Sequence, residues 1–485
     1  MALVLLVVAV SLTFTFLVRL YVVPYVTPTR HWQYGLQVDT DSHFFHLEAM
    51  RVAAQLREHG WSGVEERQLE GTVHAQLIGY LYYLTGADRP ETIFVVNALL
   101  AACSSLLLFL ILRETGVSTG HAAVASFILC SGPMFLFMHS ELLREPFIIP
   151  PILLISLGLL ICTAPSQARG RLRGVIRPLA GAALAFIGLV ITSEFRPYLI
   201  LPILLGMIAI TVGGILSALV RGALRPEQVM VLLGLLAATY VGVLRPARVQ
   251  QYTESSIAAT SVQSHGPPLL TAGGKLVPVE AEAWKTAWAT AVNSQTKLTR
   301  EMFTLPHWCT VEWKSTSWMI GALDAKLEGL ACARQEFLRF CDQALIGAQA
   351  DRNCDVANFN SAADVFTHLP RAAWFVLMVP FPNMWLDGFG GGGSGLRRAG
   401  YIIDGVMAYV LLLGLAVFAW RARSDRPHAI IVALGMVMIL TIYGLGVPSQ
   451  FILARMRLAL FLPLLAFGFA GWLLWWESRR RDADG

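Results

Sequence analysis

The sequence predicts an all-α polytopic membrane protein with about ten transmembrane helices and a small external, mainly helical cap. Three observations predict it. The chain of 485 residues is 55% hydrophobic and 14% charged, where soluble domains carry about 25% charge. Its apolar residues fall in runs near the roughly 20 residues that a helix needs to cross a bilayer. The arginines between those runs collect on one side. A soluble chain of this length would form about two to four domains, and too few charges remain to coat them. A soluble enzyme, a disordered chain and a secreted disulfide scaffold therefore fit poorly. The net charge of +5 is too small an excess to suggest nucleic acid as a partner.

The first apolar run, 2–23, has no basic segment before it and no small-x-small cleavage site after it, and reads as a retained anchor. Further runs lie near 92–112, 120–138, 147–163, 179–193, 198–219, 229–245, 402–420, 428–447 and 457–476. Arg169, Arg171, Arg173 and Arg177 follow the fourth run; Arg221 and Arg225 follow the sixth. Arg421, Arg423 and Arg426 follow the eighth; Arg479, Arg480 and Arg481 follow the tenth. All four clusters are cytoplasmic if both termini are, and one missed span would scatter the later clusters. The opposite, exterior or periplasmic side of the plasma membrane then holds 24–91 and 246–401. The stretch 374–380 is too short to cross and reads as interfacial or re-entrant. The chain thus divides into a membrane module at 1–245, an external cap at 246–370, a Gly-rich interfacial segment at 371–401, and a second membrane module with a basic tail at 402–485. Glu/Arg spacing predicts a cap helix over 331–350.

Cys103, Cys130 and Cys162 lie in apolar runs and read as small buried hydrophobes. Cys309, Cys332, Cys341 and Cys354 all fall in the cap, where an oxidising compartment predicts disulfides. Zinc is the rival ligand, but no CxxC pair is present.

Ionisable residues near membrane depth are costly and mark candidate sites. Here they gather at outer span ends. Asp39, Asp41, His43 and His46 open an amphipathic helix that continues through Glu48 and Arg51. A second turn carries Glu141, Arg144 and Glu145, a third Glu194 and Arg196. Asp404 starts the eighth span, and Arg455 and Arg457 start the tenth. A transporter would place such groups near the bilayer midplane, so the pattern favours chemistry at the outer interface on a substrate held partly in lipid. Plainer readings stand beside this one. Asp41 caps a helix, Glu145 caps the fourth span, Arg196 and Arg455 snorkel to headgroups, and His43 and His46 make interfacial polar contacts.

The stretch Asp41-Ser42-His43-Phe44-Phe45-His46-Leu47-Glu48-Ala49 is similar to a D-x-x-x-Y-H-x-x-A pattern, with Phe45 where Tyr is usual. Leu143-Arg144-Glu145-Pro146 is similar to a second-loop acidic motif, and the stretch from Ser449 to Arg457 resembles a late loop ending in basic residues. In this order the parts resemble the GT-C glycosyltransferases: protein O-mannosyltransferases, lipid A aminoarabinose transferases and bacterial relatives acting on envelope polymers. The resemblance covers about 1–245 and 360–476 and rests on layout more than on any one motif.

The resemblance implies a sugar donor on a polyprenyl phosphate, within membrane lipid, and an envelope glycan, lipid or protein acceptor. Inverting transfer needs a base for the acceptor hydroxyl, which would be Asp41, with Asp39 second. It also needs positive charge on the departing phosphate, for which arginine has a planar, permanently charged fork; Arg455, Arg457, Arg196 and Arg144 are the candidates. Glu145 would orient the acceptor, pair with an arginine or hold a divalent cation (Mg or Mn), since some superfamily members use one. His43, His46, Glu141, Glu194 and Asp404 would line the acceptor side. A polymerase or ligase with the same donor, a flippase or transporter of lipid-linked sugars, and a non-catalytic scaffold are the competing classes.

Overall fold

The structure, a computed structural model, describes residues 1–26, 42–61, 73–164, 171–196, 199–221, 226–243, 269–270, 276–277, 311–315, 321–342, 355, 357–382, 395–448 and 450–484. Helix α1 (Ala2–Leu17) continues through a π-helical stretch, Val18–Val26, which takes in Pro24. Proline has no N–H to give to the helical ladder, and a widened turn is one way around that loss. The amphipathic helices α2 (Ser42–His59) and α3 (Val73–Thr85) pack on each other. The first membrane module follows as α4 (Glu91–Glu114), α5 (Thr119–Cys130), α6 (Pro133–His139), α7 (Glu145–Thr163), α8 (Arg171–Phe195), α9 (Ile200–Val220) and α10 (Pro226–Val243). The cap contributes α11 (Gly321–Asp342) and α12 (Ala362–Met378). The chain closes with α13 (Gly395–Ala422), α14 (Pro427–Gly446), α15 (Gln450–Met456) and α16 (Leu458–Asp484). Leu269–Leu270 pairs antiparallel with Leu276–Val277 over two residues, and the described residues are otherwise overwhelmingly helical, as the all-α expectation has it.

Among the described residues eight helices are long and apolar enough to cross a membrane: 2–25, 91–114, 145–163, 175–195, 200–220, 399–422, 427–446 and 458–480. This is a multi-pass membrane protein. The run expected at 120–138 is a broken pair, α5 and α6, bent by 64°. The cause is Gly132-Pro133: the residue before a proline is pushed out of the helical region, and Gly132 sits at φ −58°, ψ 139°. The run expected at 229–245 lies in α10, Pro226–Val243, whose side chains are described over 229–239 and are apolar there.

Hydrogen bonds sort the helix ends into two sets. At one end Arg426 donates to the Thr115 carbonyl (2.6 Å), Arg221 to those of Arg423 (2.9 Å) and Ser424 (3.1 Å), Arg177 pairs with Glu114 (2.5 Å), and His121 meets Glu477 (2.7 Å). At the other end Arg19 meets Glu141, Arg196 and Arg455 meet Glu145, and Asp404 meets the Met134 N–H. The two sets alternate along the chain.

Between the ends, helices approach through small residues, as membrane helices do where no hydrophobic drive separates them from lipid. A Cβ on Gly158 of α7 would strike the backbone of Gly181 and Ala185 on α8. A Cβ on Gly468 of α16 would strike the Leu411 carbonyl of α13.

In the cap, the helix expected over 331–350 is described from Gly321 to Asp342, and 343–350 lie outside the described residues. Helix α12 runs through position 371; Ser361 caps it and accepts a hydrogen bond from the Asp364 N–H at 3.3 Å. Ala331, Phe359, Val365, Ala372 and Leu445 bury one another and seat the cap on the end of α14. Arg334 reinforces that seat from the centre of α11: 1% exposed, it pairs with Asp355 (2.8 Å) and donates to the Leu445 carbonyl (2.8 Å). Of the cap cysteines, Cys332 is buried and stands apart from the free thiols Cys103, Cys130 and Cys162. Cys309 and Cys354, and the side chain of Cys341, lie outside the described residues.

Candidate functional site

The turn between α6 and α7 organises the site. Glu145 is the first residue of α7 and is followed by Pro146, which is at home in a first helical turn. The unpaired N–H groups there favour a carboxylate. Glu145 is only 2% exposed, and a charge so buried requires partners. Its Oε1 accepts from Arg196 Nη2 at 2.7 Å and Arg455 Nε at 3.1 Å. Arg196 follows α8 directly and is itself buried; Arg455, on α15, keeps 20% of its side chain exposed. Arg144 adds a further positive charge acting on Glu145.

Four residues earlier in the same turn stands Glu141, fully buried. It pairs with Arg19 of the π-helical stretch at 2.7 Å and accepts the Ser42 hydroxyl at 2.5 Å. Arg19 also donates through Nε to the Ser140 carbonyl at 2.7 Å. Asn97 of α4 donates to the carbonyls of His139 and Glu141, both at 3.0 Å, which pins the turn from behind. Arg144 lies 5.5 Å above the Phe45 ring of α2. One turn therefore gathers α2, α4, α8, α15 and the end of the first span around two carboxylates.

Ser42 is the first residue of α2, so the described chain resumes immediately after Asp41. Asp39, Asp41 and the side chain of His43 lie outside the described residues. His46 is buried and shares a hydrogen bond with the Tyr82 hydroxyl (Nδ1 to Oη, 2.8 Å). Burial pushes its pKa down to about 4 against a smaller upward pull from Asp88, so the ring is neutral and braces α2 on α3.

Other expected site residues stand elsewhere. Arg457 does not join the Glu145 group. Its guanidinium donates to the carbonyls of Val376, Leu377 and Val379 at the end of α12, three acceptors that a helix C-terminus leaves open. Asp404 accepts from the Met134 N–H at 2.6 Å and so caps α6 from another helix. Glu194 is half-buried at the end of α8. Among the described residues no three His, Cys, Asp or Glu side chains come together as a metal site would need.

Arg19 and Asn97 were absent from the sequence expectations. Arg19 carried a usable signal, an arginine inside an apolar run. Asn97 carried none, because an amide in an apolar helix does not announce its partner. Comparisons of the chain with protein-family models, curated proteins and solved structures give no match.

Proposed function

We propose that this chain is an inverting membrane glycosyltransferase of GT-C type, moving a sugar from a polyprenyl-phosphate donor to an envelope glycan, lipid or protein at the outer face of the plasma membrane. In this reading the chain crosses the membrane ten times with both termini cytoplasmic, and the cap cysteines form disulfides outside. The observation that carries the reading is the clustering of Arg144, Arg196 and Arg455 about Glu145, in the turn that also holds the start of α2 through Glu141 and Ser42. Acids and arginines from distant parts of the chain meet at one end of the bundle, which suits a phosphate leaving group and a hydroxyl acceptor.

The chemistry assigned to these groups balances as follows. The acceptor oxygen attacks the anomeric carbon and passes its proton to the Asp41 carboxylate. The bond from that carbon to the phosphate oxygen breaks, and the lipid phosphate leaves with the electron pair. Arg455, the more accessible of the two arginines on Glu145, receives the phosphate charge through its fork. Glu145 holds Arg196 and Arg455 in place. Arg457 fixes the end of α12 next to them.

Asp41→Asn tests the proposal, because asparagine caps a helix about as well as aspartate but accepts no proton at neutral pH. Loss of a general base lowers rate by about 10²–10⁴-fold. Envelope glycans from cells lacking the chain should miss a sugar by mass spectrometry. Wild type should restore it, and Asp41→Asn, inserted at normal abundance, should not. Full restoration by the asparagine variant would return Asp41 to a capping role and overturn the assignment.

A further inference from the structure

At the end of the bundle opposite Glu145, α13 and α16 finish in three arginine–tryptophan stacks. The Arg421 guanidinium lies 4.7 Å from the Trp420 ring centre, Arg479 4.9 Å from Trp475, and Arg480 5.7 Å from Trp476. The two helices run parallel and in close contact. Gly468 faces Leu411, Gly471 faces Gly414 and Phe418, and the Trp472 indole donates to the Val410 carbonyl at 2.8 Å. Continued at that stagger, Arg421 comes level with the turn that carries Trp475, Trp476 and Arg479.

The neighbouring basic groups are engaged elsewhere. Arg177 pairs with Glu114, and Arg221 and Arg426 hold backbone carbonyls. Among the described residues none of Arg421, Arg479 and Arg480 takes part in an ion pair, and Arg421 Nε is buried without a hydrogen-bond partner. The acid placed between these stacks, Glu477, is turned to His121 on α5. Trp420 and Trp476 are about half exposed.

We infer that the paired ends of α13 and α16 bind one anionic phospholipid of the adjoining leaflet. Indoles settle at the headgroup boundary. Each guanidinium stacked on an indole is held there by cation–π attraction, at the depth of the phosphate, which arginine grips through two parallel N–H donors. Exposed Trp420 and Trp476 lie against the acyl chains. Three cationic groups with no acid partner among the described residues favour a headgroup with net negative charge over a zwitterionic one.

The test uses full-length protein in detergent, titrated separately with phosphatidylglycerol, phosphatidylcholine and inorganic phosphate. Bound lipid is read by native mass spectrometry, and the thermal midpoint is followed in parallel. Phosphatidylglycerol should bind about 10–100-fold more tightly than phosphatidylcholine and raise the midpoint, while inorganic phosphate leaves it unchanged. The triple variant Arg421→Gln, Arg479→Gln, Arg480→Gln should lose that preference, and the single exposed change Arg480→Gln should weaken it by several-fold. Equal binding of the two lipids, an unchanged preference in both variants, or a midpoint rise with phosphate alone would each overturn the site.

Discussion

At the scale of single residues, the site is held by charges that cannot stand alone. Glu145 and Arg196 are each 2% exposed, and removing one partner of such a pair typically costs about 3–5 kcal/mol. Glu145→Gln and Arg196→Gln should each lower the thermal midpoint markedly. The double variant should fall by less than the sum, because the second change removes the charge that the first left stranded. Strict additivity in thermal unfolding would mean that the two side chains do not stabilise each other. His46 gives a pH signature. Its folded pKa, held down to about 4 by burial, lies below the ordinary value near 6.5. The unfolded chain therefore takes up a proton in that interval which the folded chain refuses. Stability is level above about pH 6.5 and falls as pH drops toward about 4. His46→Gln should flatten this slope between pH 6.5 and 4, measured as hydrogen exchange in α2 and α3.

Elements, rather than residues, were the most legible part of the sequence. Eight of the ten apolar runs are full-length helices because composition and length alone decide them. Of the other two, one is broken at Gly132-Pro133, and the other is α10, whose side chains are described only over 229–239. Contacts between elements left a fainter trace, since a glycine that lets two helices touch looks like any other glycine. Gly468 and Gly234 make the contrast testable. Gly468→Ala places a Cβ on the Leu411 backbone, whereas the same change at Gly234 of α10 meets nothing within 4 Å. The first should lower the thermal midpoint, as overpacking costs about 1–3 kcal/mol. The second should hold or raise it, since glycine inside a helix costs roughly 0.5–1 kcal/mol relative to alanine.

For the whole molecule, the layout of acids and arginines was readable as a pattern of ends, but their pairings were not. Glu145, Arg196 and Arg455 were each singled out from position alone, and their meeting depends on helix order in space. Asp404 and Arg457 were singled out by the same rule and turn out to serve backbone groups, because an open helix end competes for any charge within reach. Orientation is checkable in one experiment with an impermeant thiol reagent on intact cells. A cysteine introduced at position 170 should stay unlabelled, and Cys332 should label only after reduction. Labelling at 170, or labelling of Cys332 without reduction, would reverse the expected sidedness or remove the disulfide.

Glu145 and its two arginines also set an order in time. Arg196 follows Glu145 by 51 residues and Arg455 by 310. At about 5–20 residues per second of synthesis, Arg196 arrives about 3–10 s after Glu145, and Arg455 about 15–60 s after it. During that interval the nascent chain carries the Glu145 carboxylate held by Arg196 beside Arg144, in a bundle still lacking its last helix, α16. The first pair is thus the one that lets α7 and α8 settle in the bilayer, and the second closes the site only when translation is nearly finished.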